Sequence, residues 1–201
     1  NLTYRYGSDT FAFLPPVPSL TNIHKTETYF AQINHLRNIN EGIDLKFGGQ
    51  FDYRTLESND RGTHEDIHAG IYAIAVLRPF EGFNVMASLR GDYEDVYGVQ
   101  VLPQVSASYY INNKITLRAN AGRSIRAADY TERYNNYNKI DVAPNRSVGN
   151  PDLKTELSWS EEFGIDFYPI PEWRLTATAF ARQGTDLIDF VNTFAFDIDN
   201  V

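Results

Sequence analysis

His64-Glu65-Asp66-Ile67-His68 is the run of residues best equipped for chemistry. The pattern H-E-x-x-H binds zinc through two imidazoles and uses the glutamate as general base. That chemistry needs a helix, because only there do residues four apart share a face and reach one ion. The following residues argue for a strand instead. Ala69, Ile71, Ala73, Ala75 and Leu77 recur with period two, and Gly62 and Gly70 flank the motif. On a strand rising ~3.3 Å per residue the two imidazoles stand about 13 Å apart. The segment is therefore expected to be a polar strand entry beside a loop, with no catalytic residue and no metal. A zinc peptidase using His64, Glu65 and His68 is the enzymatic alternative.

Two other groups could bind something. Asp186, Asp189, Asp197 and Asp199 offer carboxylates to calcium, but their spacing lacks the sixth-position glycine of an EF-hand loop. A solvated acidic loop is expected there. Tyr130, Arg133, Tyr134, Tyr137 and Arg146 gather within residues 127–148. Tyr and Arg are favoured at binding surfaces because they combine apolar area with hydrogen bonding, so these five are the candidate ligand-binding residues. The chain has no cysteine, which excludes disulfides and cysteine–zinc sites. There is no glycine-rich phosphate loop and no Ser/His/Asp set, and no cofactor is expected. Net charge is −8, and lysines and arginines are scattered without a basic stripe. Nucleic-acid binding has no support.

The elements that carry these residues alternate in polarity. Phe83, Val85, Ala87, Leu89, Gly91 and Tyr93 lie on one face, and Asn84, Ser88, Arg90 and Asp92 on the other. The same pattern runs through Leu45–Arg54, Ile115–Ala121 and Trp173–Arg182, and more weakly through 27–38, 65–78, 101–112 and 157–168. That predicts eight strands and a ninth near 188–196. Several reach the ~9–11 residues a membrane-crossing strand needs. Mean hydropathy of −0.40 does not oppose this, because only alternate residues of such a strand face lipid. Lumen-face Arg90, Arg118, Arg174 and Arg182 are expected to pair with Glu94, Glu162 or Asp166.

The links alternate as well. Asn38–Gly42, Pro79–Gly82, Asn112–Lys114 and Pro169–Glu172 are short, whereas 57–64, 95–100 and 127–156 are long. In an up-and-down meander that places all short turns at one end and all long loops at the other, the asymmetry of an outer-membrane barrel. Three prolines within Phe13–Pro18 exclude a central strand, so Phe11–Leu20 is read as an irregular external loop. The expected fold is all-β, an antiparallel up-and-down meander of long hairpins forming a segment of a transmembrane β-barrel. A soluble β-sandwich binding module is the alternative.

From Ile115 to Val191 the sequence resembles more than a pattern. A strand runs through Arg118-Ala119-Asn120-Ala121-Gly122-Arg123-Ser124-Ile125-Arg126-Ala127, followed by a loop and then Gly149-Asn150-Pro151-Asp152-Leu153-Lys154-Thr155-Glu156. Glu162-Phe163-Gly164-Ile165-Asp166 and Asp186-Leu187-Ile188-Asp189 come next, and Pro103-Gln104-Val105-Ser106 precedes them. This resembles the barrel of TonB-dependent outer-membrane receptors, with Ala127 or Ala128 and Thr155 standing where that family often has proline. Asn150-Pro151-Asp152 favours a turn, since proline fixes φ and the flanking side chains bond nearby backbone. The resemblance implies residues 1–201 as part of such a barrel, with no plug domain, TonB box or signal peptide in the segment. It implies an outer-membrane location in a Gram-negative bacterium and uptake of a scarce nutrient such as a ferric siderophore or cobalamin. It further implies lipid around the barrel and coupling to the TonB complex through parts beyond this segment. Two open edges and an apolar outer face predict that the isolated segment self-associates.

Overall fold

The computed structural model describes residues 1–12, 21–137 and 146–191. Nine strands form one antiparallel sheet in sequence order. They are β1 (Leu2–Ala12), β2 (Thr21–Asn40), β3 (Ile43–Ser58), β4 (Gly62–Phe80), β5 (Phe83–Glu94), β6 (Gly98–Asn112), β7 (Ile115–Arg126), β8 (Glu156–Phe167) and β9 (Leu175–Thr185). A five-residue helix, α1 (Tyr130–Tyr134), lies between β7 and β8.

Register carries the alternation across the whole sheet. Leu77, Val85, Ala107, Ala119 and Phe163 pair in one row, and Ile71, Gly91 and Val101 in another. Tyr4, Tyr29 and Tyr53 form a further row, with ring centroids 5.0 and 6.3 Å apart. These residues share the apolar face. The opposite face carries Asp52, Arg54, Arg90, Asp92, Arg118 and Asp166.

Burial is inverted relative to a water-soluble fold. Among the described residues the buried hydrophobic ones are Leu56, Ala128 and Tyr134, whereas Asp52, Asp66, Asp92, Glu94 and Asp166 are all buried. Leu89, Phe163, Ile71 and Phe47 are largely exposed. A sandwich would bury its apolar face against a second sheet. Among the described residues there is none, and the apolar face stays uncovered.

The link asymmetry holds at one end and changes at the other. Turns 41–42, 81–82 and 113–114 have two residues each, and 168–174 closes the same end. Each of the three two-residue turns has a register shift beside it. At the opposite end the expected long links 57–64 and 95–100 contract to 59–61 and 95–97. Gly62 and Gly98 follow these turns with φ of +85° and +66°, a conformation open to glycine at little cost. The strands run on because both faces turn polar there: Lys25, Glu27, Glu57 and Glu65 occupy the face that is apolar below. Period-two hydrophobicity disappears while hydrogen-bonded pairing continues. Among the described residues the ninth strand is β1. Residues 188–191 are irregular and 192–196 lie outside the described residues. Of the loop expected at Phe11–Leu20, Phe11 and Ala12 end β1, and 13–20 lie outside the described residues.

Candidate functional site at the long-loop end

Helix α1 begins with a complete capping box: the Asp129 side chain accepts from the Thr131 and Glu132 amides, while Glu132 accepts from the Asp129 amide. Arg126, the last residue of β7, holds Glu156, the first of β8, by two bonds of 2.8 Å. Its third nitrogen reaches Glu132 at 2.9 and 3.0 Å. Glu156 also accepts from the Ile188 amide at 2.8 Å. Arg126 and the Ile188 amide hold the Glu156 carboxyl down at about 2, and the same pairing raises Arg126 above its usual value.

The Gly149–Glu156 motif has a structural role beyond a turn. The Gly149 amide donates to Asn135 O at 2.9 Å and the Asn150 amide to Glu132 O at 3.0 Å. A Cβ at position 149 would stand 2.5 Å from the Arg133 carbonyl carbon and closer still to the Tyr134 nitrogen. Only glycine lets these two backbones approach. Asn150 Oδ1 then accepts from the Asp152 amide at 2.9 Å, closing the turn.

The helix folds over the polar face onto β4, three strands away in the sheet. Arg133 reaches Asp66 at 3.3 and 3.4 Å and donates to the Tyr134 hydroxyl at 2.5 Å. Its guanidinium lies 4.6 Å from the Tyr134 ring centroid. Tyr134 stacks on His64, and Tyr137 meets Tyr134 edge-on at 5.6 Å. Burial and the nearby Asp66 push the Tyr130 phenol well up. Beneath the helix, Arg54 pairs with Glu94 at 2.5 Å and Asp52 at 3.2 Å. His68 lies between Asp52 and Asp92, at 2.5 and 2.9 Å.

The five candidate residues are thus brought to one loop in two roles. Arg133 and Tyr134 are buried and Tyr130 half-buried, against β4. Tyr137 and Arg146 are exposed at the surface. Sequence reading missed Asp66, Asp52 and Arg54 beneath them. Their signal was charge at every second position of β3, β4 and β5, which becomes a network only once register is known. The ionic ladder is partly rearranged: Arg90 pairs with Asp92 rather than Glu94, while Arg118 and Arg174 converge on Asp166 at 2.9 and 3.0 Å. Arg182 closes no ion pair among the described residues.

The H-E-x-x-H segment is strand throughout, inside β4. His64 Nε2 lies 2.6 Å from Arg61 O, so each imidazole has its own partners and the helical zinc geometry is not formed. Of the acidic group, Asp189 accepts from the Phe190 amide, and Asp197 and Asp199 lie outside the described residues.

One sheet with an apolar face, an ion-paired polar face and its large loop at one end defines the wall of an outer-membrane-type β-barrel. The chain belongs to the family described as TonB dependent receptor-like, beta-barrel, whose model it matches over residues 1–201. It is 29% identical over 161 residues to the vitamin B12 transporter BtuB of Photobacterium profundum, covering 76% of this chain and 24% of that protein. Two solved structures share the fold. The siderophore receptor PirA of Pseudomonas aeruginosa has TM-score 0.70 and 20% identity, covering 88% of this chain and 34% of that one. The ferric enterobactin receptor PfeA of Pseudomonas aeruginosa has TM-score 0.72 and 16% identity, covering 91% and 32%. The chain thus spans about a quarter of the curated relative and a third of each structure. These relatives are named as a transporter and receptors, not as enzymes.

Proposed function

We propose that this chain is part of the wall and mouth of an outer-membrane receptor of a Gram-negative bacterium. The receptor takes up a scarce nutrient, a ferric siderophore, cobalamin or a similar ligand, and performs no catalysis. The apolar face meets lipid and the polar face lines the lumen. TonB coupling enters through other parts of the protein. The observation that carries this reading is that residues 127–137 fold inward over the polar face while Tyr137 and Arg146 stay exposed. In this reading Tyr130, Arg133 and Tyr134 fix the loop, and Tyr137 and Arg146 meet the ligand.

The full-length receptor, expressed in a Gram-negative host lacking its own transporters, tests this. It is expected to fractionate with the outer membrane, to migrate differently on gels when boiled, and to take up radiolabelled cyanocobalamin or a ferric siderophore. A soluble protein with identical boiled and unboiled migration would overturn the membrane reading. Membrane insertion with uptake of neither probe would overturn the ligand classes.

A further inference from the structure

Helix α1 is attached to the barrel wall at two places of unequal quality. At its base, Arg126, Glu132 and Glu156 use every guanidinium nitrogen at 2.8–3.0 Å. Within the loop, α1 is stitched to the returning chain by Gly149 and Asn150 amides. Asn135 and Asn136 side chains add bonds to Ser147 O at 3.0 and 2.8 Å. The helix and residues 147–150 therefore form one body. At the far end the contact with β4 is weaker. Arg133 meets Asp66 only at 3.3–3.4 Å. Arg133 Nε is buried with no hydrogen-bond partner. Unpaired buried donors oppose docking, whereas fully paired charged groups favour it.

We propose that α1 with residues 147–150 is a flap whose pivot is Arg126–Glu132–Glu156 and whose release point is Asp66–Arg133 with Tyr134 on His64. Asp66 and His64 are then positioning residues, acting on the ligand-facing loop through Arg133 and Tyr134. Opening breaks the β4 contacts and leaves the pivot closed. It uncovers Asp66 and the Arg54–Glu94 pair on the lumen face. The flap's bearing on uptake rests on the ligand-binding role proposed above, but its existence as a flap does not.

Hydrogen exchange of the intact receptor, without ligand, separates the two. Asp66→Asn is expected to speed exchange of the α1 amides by about tenfold or more, the scale for losing a charge-assisted contact. Amides of residues 124–126 and 156–160 are expected to keep their protection. The double exchange Asp66→Arg with Arg133→Asp is expected to restore protection of α1, which a simple packing defect would not. Tyr134→Leu serves as a second release variant, and boiled against unboiled migration confirms that each barrel folds. Unchanged α1 exchange in both release variants overturns the proposal, as does equal loosening at the pivot. Failure of the parent receptor to take up cyanocobalamin or a ferric siderophore leaves this exchange result standing and bears on the ligand reading alone.

Discussion

The Tyr134 ring lies flat on the His64 ring, with centroids 3.5 Å apart and planes 10° from parallel. One residue belongs to the loop after β7 and the other to the polar face of β4. The residue that looks catalytic in sequence is thus a platform for the loop. A double-mutant cycle of His64→Ala and Tyr134→Ala should give a coupling of about 0.5–1.5 kcal/mol. Local opening of residues 130–137, measured by hydrogen exchange, reports it. Additive effects would show that the two rings act independently.

Gly149 predicts a large effect from a small change. Gly149→Ala places a methyl against the Arg133 and Tyr134 backbone, which cannot rotate away. The loop should lose about 1–3 kcal/mol of docking stability, the usual cost of overpacking. Faster protease nicking within residues 127–155 of the intact receptor is the readout, with the barrel itself unaffected.

Acidification should act on the pivot. A carboxylate held low in the folded state stabilises the fold above its unfolded value and loses that contribution as pH falls through its folded value. For Glu156 the window runs from its ordinary 4.5 down to about 2. Pepsin cleavage mapped to the loop should therefore stay slow near pH 4 and rise toward pH 2. Glu156→Gln should be cleaved readily throughout, and the absence of any difference would separate the loop's stability from this carboxylate.

The two faces predict opposite tolerance of charge. Leu89→Arg, on the apolar face, should destabilise the barrel by about 2–4 kcal/mol if it sits near the bilayer midplane. Ser88→Arg, one residue away on the polar face, should cost much less. Urea titration of boiled-versus-unboiled migration compares them, and equal losses would contradict the assignment of faces.

Expressed alone, the 201-residue chain should associate or require detergent, because β1 and β9 end the sheet and no described residue covers the apolar face. Light scattering after size exclusion in detergent-free buffer measures this. A monodisperse monomer would count against it.

The two faces were legible because apolar and polar residues alternate, as in Phe83–Tyr93. The strand extensions beyond the Tyr4–Tyr29–Tyr53 row were not, since polar residues on both faces around Glu27, Thr55 and Glu65 leave no period to read. β1 escaped notice beside the proline-rich run that follows it. Within the site, the loop's Tyr and Arg content was visible, but its anchor was not. The Arg133–Asp66 contact spans 67 residues, and pairing Arg54 with Glu94 requires the register of three strands. The H-E-x-x-H segment was legible as strand from the alternation after it.

The strand order runs from β1 to β9 without a crossover, and this bears on how such a wall can be inherited. In its backbone pairing each strand depends only on its immediate neighbours in the sheet. A hairpin is therefore a unit that duplication could add, or deletion remove, without turning any other residue from one face of the sheet to the other. Diameter becomes a matter of copy number, and the loops at the mouth can diversify one hairpin at a time.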